Sequence, residues 1–218
     1  NNYAAGQGAV GTFAARTGGA WGNNLQVSTC PSATAFEQEG ATTINDSSIS
    51  VGDTQFTVTD GSTLNVGDIL SISTTAATND YDDGEQYRVT AIDTHDITIV
   101  QHPRGEGGVK RSFTDGSNVR RRWRFYDQVD GAPGTSPFVS DRSGSNDEIH
   151  VVVVDEDGGV SGVVGQVLET FSKLSKAADA KTPQGDNNYY PDVIYNRSQF
   201  IYWMDHNTSG SNWGNNAS

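Results

Sequence analysis

The chain has 218 residues, enough for one sizeable core or for one core plus a small inserted module. Its 14 Lys and Arg stand against 27 Asp and Glu, and the net charge of −13 argues against a general affinity for nucleic acid or anionic membranes. The single Cys30 excludes an internal disulfide framework and a thiolate metal cage, and no apolar run approaches the roughly 20 residues that span a bilayer.

The first stretch, 1–22, is rich in Gly and Ala and leads through Trp21 and Gly22 into Asn23-Asn24-Leu25-Gln26-Val27-Ser28, whose alternation suits a half-buried strand. Gly6-Gln7-Gly8-Ala9-Val10-Gly11 has the form of a dinucleotide fingerprint, but only five residues precede it, too few for the strand that motif needs, and it reads as a terminal loop. Between about Thr43 and Pro103 come short β-branched segments: Gln55–Val58, Ile69–Ile72, Tyr87–Thr90 and Asp96–Val100. Val-Gly-Asp occurs twice there, at 51–53 and 66–68, each time beside strand-like sequence. A compact all-β module, a small barrel or sandwich, is predicted for 43–103. Asp80, Asp82, Asp83 and Glu85 cluster around Gly84, but without the spacing of a calcium loop they read as a solvated hairpin tip.

From Glu106 to Asn146 the chain is polar, with Arg122-Trp123-Arg124-Phe125-Tyr126 as an exposed or edge strand. Ile149 to Val154 is a nearly continuous apolar run, the pattern of a strand covered on both faces. Beyond the acidic turn 155–159, apolar residues at 160, 163, 164, 167, 168, 171, 174 and 178 have the three-and-four spacing of an amphipathic helix, with Glu169 and Lys173 paired on its polar face. Asp155 and Asp157 would then favour the positive end of that helix. A shorter helix is predicted from Pro191 through Arg197, then a strand over Phe200–Trp203. The fold class that follows is a mixed α/β body, 1–42 plus 104–218, interrupted by the inserted β-rich domain. The chain opens at Asn1 without Met and closes in a polar tract, which predicts a processed product or a segment of something longer.

No catalytic, cofactor or metal constellation emerges. The histidines at 95, 102, 150 and 206 lie far apart, none in a ligand-pair spacing, and Gly-x-Ser-x-Gly is absent. Sequons begin at Asn45, Asn196, Asn207 and Asn216 and read as chance in an Asn- and Ser-rich chain. One charge feature is less bland. Arg104, Lys110, Arg111, Arg120, Arg121, Arg122 and Arg124 place half of the basic residues within 21 positions. Such segregation lets a basic face meet an acidic face on an identical neighbour. The rival, a nucleic-acid groove, has only Trp123, Phe125 and Tyr126 for stacking platforms.

Three separated stretches together resemble the tail sheath proteins of contractile bacteriophages, most closely the long sheath proteins of myoviruses, including those of cyanobacterial hosts. They are Gly11–Leu25 with its Gly-Ala-Trp-Gly-Asn core (Trp21, Gly22, Asn23), Asp147–Ala180 with Asp155 and Asp157 in its turn, and Asn188–Tyr195 with Tyr189 and Tyr190, running into Ser198–Trp203. The resemblance implies a structural subunit: six per ring around a tail tube, rings stacked helically, and a stored lattice that shortens to drive the tube through the host envelope. It implies identical subunits, tail tube protein, baseplate and tail terminator as partners, no cofactor, and a place in the virion after assembly in the host cytoplasm. The same pattern serves contractile injection systems and tailocins. From other classes come a carbohydrate-binding adhesin using Trp123 and Tyr126, and a hydrolase using His150 and Asp155.

Overall fold

Eleven β-strands and three short α-helices are present among the described residues, 11–206 and 213–217, of a computed structural model of the chain. The fingerprint-like Gly6–Val10 and the sequon at Asn207 lie outside those residues. The chain divides into two compact units, one from Asn1–Ser32 with Asp127–Ser218, the other Ala33–Tyr126. None of the described helices is long and apolar enough to cross a membrane.

In the first unit, β1 (Phe13–Ala15) pairs antiparallel with β11 (Ile201–Trp203), and β2 (Leu25–Cys30), β9 (Glu148–Asp155) and β10 (Gln166–Ser175) form an antiparallel sheet in the order β10-β9-β2. Between them lie α2 (Pro137–Ser140) and α3 (Tyr190–Arg197), the latter opening on Pro191 as its sequence predicts. Every residue from Ile149 to Asp155 is fully buried. Ile149, Val151 and Val153 pack against Tyr190, Val193 and Ile194, the i, i+3, i+4 face of α3, and against Leu174 and Ile201.

The helix predicted beyond Asp155 is not there. Residues 156–165 form an irregular loop, with Gly158, Gly162 and Gly165 at positive φ, and 166–175 are the strand β10. The helical spacing has a different origin. Two bulges break the β9–β10 register, between Val167 and Glu169 and between Phe171 and Leu174, and Lys173 takes the left-handed conformation in the second. Each bulge adds a residue, so Leu168, Phe171 and Leu174, three apart, all reach one core from a strand. The glycines disfavour a helix across the loop, while the outer edge of fully buried β9 needs hydrogen-bond partners. Glu169 therefore makes no pair with Lys173: its carboxylate accepts from Ser198 Oγ at 2.6 Å and Gln199 N at 2.7 Å, capping the turn between α3 and β11. The body is accordingly dominated by β-sheet, where the sequence predicts mixed α/β.

In the second unit, α1 (Ala33–Phe36) leads into β3 (Glu37–Thr43), followed by β4 (Gln55–Thr57), β5 (Ile69–Ala76), β6 (Gln86–Asp93), β7 (Asp96–His102) and β8 (Ser117–Arg122). They make one antiparallel sheet in the order β3-β8-β5-β6-β7-β4. Beyond its two end strands, Asn45 N donates to Thr57 O and Thr59 N to Thr43 O, each at 2.9 Å. This unit begins ten residues before the predicted module and runs on to Tyr126, because β3 pairs with β8 and β8 with β5. The predicted edge strand at 122–126 is corrected too: β8 ends at Arg122 and is interior, and Trp123 and Phe125 turn into the protein, 6% and 5% exposed, in edge-to-face contact.

The repeated Val-Gly-Asp is one device used twice. Gly52 and Gly67 sit at φ +95° and +97°, the left-handed third position of a type II turn that glycine adopts without strain. Asp53 and Asp68 each donate their N–H to the carbonyl three residues back at 3.0 Å, and each Oδ2 accepts that residue's N–H at 2.8 Å. Gly52 N donates to Val109 O and Val109 N to Asp53 O; Gly67 N donates to Val89 O and Val89 N to Asp68 O. Each turn thus clasps a buried valine. The two aspartates differ in what else they hold: Asp68, 4% exposed, lies 3.6 Å from the buried Arg121 guanidinium, whereas Asp53 is exposed. Asp53→Ala is expected to cost about 1 kcal/mol, the scale of a lost turn hydrogen bond. Asp68→Ala should cost about 3–5 kcal/mol because it strands Arg121 without a counter-charge, and denaturant unfolding of the two variants would measure the gap.

Candidate functional site

The basic stretch is largely neutralised inside its own unit. Arg120 forms a close ion pair with Asp83 and lies 4.7 Å over the Tyr81 ring. Arg122 Nε meets Glu37 at 2.5 Å, its Nη1 meets Asp83 at 3.0 Å, and its guanidinium sits 5.1 Å over Tyr126. Arg121, pointing to the opposite side of β8, donates to Thr34 O at 2.5 Å and Ala35 O at 3.2 Å beside Asp68. Burial raises the Asp68 carboxyl above its usual range in spite of Arg121. Arg111 pairs with Glu85 at 2.9 Å, exposed Arg104 with exposed Glu106 at 2.8 Å, Lys110 Nζ donates to Gly84 O, and Arg124 lies 5.0 Å from the Phe125 ring. Arg120 and Arg121, 7% and 6% exposed, are therefore internal struts. The residues of this set facing solvent are Arg104 and Lys110, with Arg111, Arg122 and Arg124 half-buried.

The same pairing accounts for the acidic cluster. Asp83 and Glu85 hold arginines, Asp80 accepts from Thr74 and Thr78, and Asp82 accepts from Gly84 N at 2.8 Å. Among the described residues no group of three or more His, Cys, Asp or Glu is placed to hold a metal ion.

In the body, the resemblance-bearing residues hold connections. Trp21 stacks on Phe200 at 6.2 Å, Asn24 donates to Trp21 O, and a side chain at Gly22 would strike Ala15 Cβ at 2.7 Å; Asn23 is in the same 3₁₀ turn. Asp155 precedes no helix: its Oδ2 accepts from Val160 N, Ser161 N and Ser161 Oγ, fastening the loop to the end of β9. Burial pushes its carboxyl up, but those hydrogen bonds outweigh it and hold it below the usual range. Asp157 is exposed in that loop. Tyr190 is fully buried, and its hydroxyl accepts from Trp203 Nε1 at 2.9 Å; Tyr189 packs edge-on against it.

His150 and Asp155, the pair weighed for hydrolysis, are both buried on β9, five positions apart. The His150 ring spends both nitrogens on backbone: Nδ1 accepts from Lys173 N at 2.9 Å, so Nε2 carries the proton and donates to Gly131 O at 3.0 Å. Sequence reasoning misses this role, and it misses Asp147, whose buried carboxylate accepts from Ser136 N, Ser136 Oγ and Ser175 Oγ. Only the bulge at Lys173 gives His150 its purpose, and no local pattern encodes it.

The surface feature of this unit is the β9–β10 hairpin. Val163 and Val164, 56% and 74% exposed, stand side by side on its loop. From Gln166 to Ser172 the outer edge of β10 faces no other strand among the described residues. Exposed apolar side chains beside an unpaired strand edge form a surface that another chain can cover with both apolar contact and backbone hydrogen bonds.

Burial holds the His150 pKa below its ordinary 6.5, helped by the Lys173 charge and opposed by the Gly131 bond. The unfolded chain then binds the proton more readily, so this contribution is present above about pH 6.5 and lost as pH falls through the folded value. Denaturant midpoints should be lower at pH 5 than at pH 7.5, and His150→Gln should shrink that difference.

No protein-family model, curated protein or solved structure matches the chain.

Proposed function

We propose that this chain is a structural subunit of a contractile tail sheath, whose work is to hold identical neighbours in stacked six-membered rings around a tail tube. The observation that carries the reading is the β9–β10 hairpin. Its paired valines and open strand edge lie within Asp147–Ala180, one of the stretches that resemble the sheath family. Burying the exposed part of each valine against a neighbour would contribute about 1–2 kcal/mol per valine, enough over a ring to matter to a lattice. In this reading the sheet of 33–126 closes as a six-stranded barrel through the Asn45–Thr57 and Thr59–Thr43 hydrogen bonds, and the other unit, 11–32 with 127–206, is the ring-forming body. The tail tube, baseplate and tail terminator are its other partners, and the virion is its place.

The charge pattern refines the contact. Most of the basic stretch is spent internally, so a basic-on-acidic joint between subunits would draw on Arg104 and Lys110 at most. The adhesin alternative loses its main platform because Trp123 is buried. A sheath of a non-viral contractile injection system uses the same surface and is the second reading.

Negative-stain electron microscopy of the concentrated protein tests the proposal. Hollow, transversely striated tubes are expected, and their absence at high concentration overturns it. A double variant, Val163→Asp with Val164→Asp, should abolish the tubes while shifting monomer stability by no more than about 0.5 kcal/mol, as for other exposed sites.

A further inference from the structure

A second cluster in the body lies apart from the hairpin. Four aromatic side chains, Tyr189 just before α3, Tyr190 at its start, Trp203 from β11 and Trp213, surround His206, with ring centroids 4.9–6.4 Å from the imidazole. The donors and acceptors form a single consistent chain. Trp203 Nε1 can only donate, and it donates to Tyr190 Oη at 2.9 Å. Tyr190 Oη then gives its own proton to His206 Nδ1 at 2.8 Å, which leaves Nε2–H to face Tyr189 Oη at 3.3 Å. The neutral imidazole with its proton on Nε2 is the form that makes all three bonds and also gives the buried Tyr190 hydroxyl proton an acceptor. A second proton on Nδ1 would confront the Tyr190 hydroxyl with another donor and strand its hydrogen in a buried site.

Above this ring runs the segment 213–217. Trp213 packs edge-on against Tyr190 at 5.6 Å, and the space beside Gly214 is so tight that a side chain there would meet His206 Nε2 at 2.6 Å. Three hydrogen bonds tie the segment down: Gly214 N to Lys176 O at 2.9 Å, Ala178 N to Asn215 O at 2.9 Å, and Ala217 N to Asp179 Oδ1 at 2.7 Å. Trp213 is also one wall of a pocket of about 350 Å³ lined by Phe13, Leu25, Val27, Thr29 and Ile149.

We propose that His206 is an acid-sensitive latch: neutral, it bridges the hydroxyls of Tyr189 and Tyr190 and holds the 213–217 segment over the aromatic cluster; protonated, it releases that segment and opens the pocket behind Trp213. The charged and titratable groups around it are few. Asp205 adjoins it in sequence, the start of α3 contributes Tyr190 and the residue before it Tyr189, with Asp192 near Tyr189, and Lys176 sits 5.5 Å over the Trp213 ring. The ring contacts from Trp203 and Trp213 bring no charge. Burial lowers the His206 pKa from 6.5 and Asp205 opposes it, so the closed form is favoured above that pH and given up as pH falls through the folded value.

The test is a pH titration of the intact chain by nuclear magnetic resonance, following the His206 ring and the amides of Gly214, Ala178 and Ala217. The ring should titrate below 6.5, and exchange of those amides, corrected for its intrinsic pH dependence, should accelerate by up to about tenfold per pH unit between 6.5 and that midpoint and level off below it. Amides of β9, followed in the same samples, separate local release from unfolding of the body. A ring that titrates at or above 6.5, or amides that keep their protection through its titration, would overturn the latch. In His206→Gln the segment's protection should no longer change with pH between 7.5 and 5; a transition retained at the same midpoint would equally overturn it. Should that variant fail to fold, the ring and amide titrations of the unaltered chain decide alone.

Discussion

A strand with no exposed residue along its length has nowhere to send its backbone polar groups except to other strands, and that constraint on β9 organises the body. β2 takes one edge and β10 the other. The face carrying Ile149, Val151 and Val153 calls for an apolar cover, which α3 supplies through Tyr190, Val193 and Ile194. The opposite face carries His150, Val152 and Val154, and the one polar side chain among them is accommodated because both ring nitrogens meet backbone groups. The bulges of β10 follow from the same demand. They bring Phe171 and Leu174 opposite Val151 and Ile149 and put the Lys173 N–H where His150 can accept it.

The second unit solves a different problem. A six-stranded sheet in which three consecutive arginines, 120–122, occupy an interior strand must compensate charge on both of its sides. It does so with acids that are distant in sequence: Glu37 from β3, Asp68 from the second Val-Gly-Asp turn and Asp83 from the β5–β6 loop. Because one member of the Asp68–Arg121 pair cannot be lost without leaving a buried charge, the pair fixes where that turn sits relative to β8. With its 27 Asp and Glu against 14 Lys and Arg, the chain keeps an acidic excess after this pairing.

In the proposed assembly the hairpin would carry the contact between subunits. Buried β9 requires β10, β10 lies at the margin of its sheet, and the glycine-rich loop between them holds two valines in water. A chain that remained alone would gain nothing from that exposure; one that assembles converts it into contact area. The aromatic cluster around His206 is the body's second concentration of unusual chemistry, and its stability depends on one proton.

By itself the sequence determined the local periodicities: alternation marks β4 to β7, the unbroken apolar run marks β9, and Pro191 marks the start of α3. It determined as well that Val-Gly-Asp would punctuate the β-rich unit twice, since glycine at positive φ and an aspartate that bonds back three residues are local chemistry. Tertiary structure alone decided that Val160–Ala178 is loop and strand. Spacings of three and four arise from a helix or from a doubly bulged strand alike, and the choice rests on β9, whose need for a second neighbour is invisible in the segment itself. It also decided that most of the seven clustered cations would find partners within their own unit, because their counter-charges lie up to 85 positions away in sequence. Histidine roles were illegible for the same reason: the Lys173 N–H on His150 and the tyrosine hydroxyls on His206 are partners that only the fold supplies.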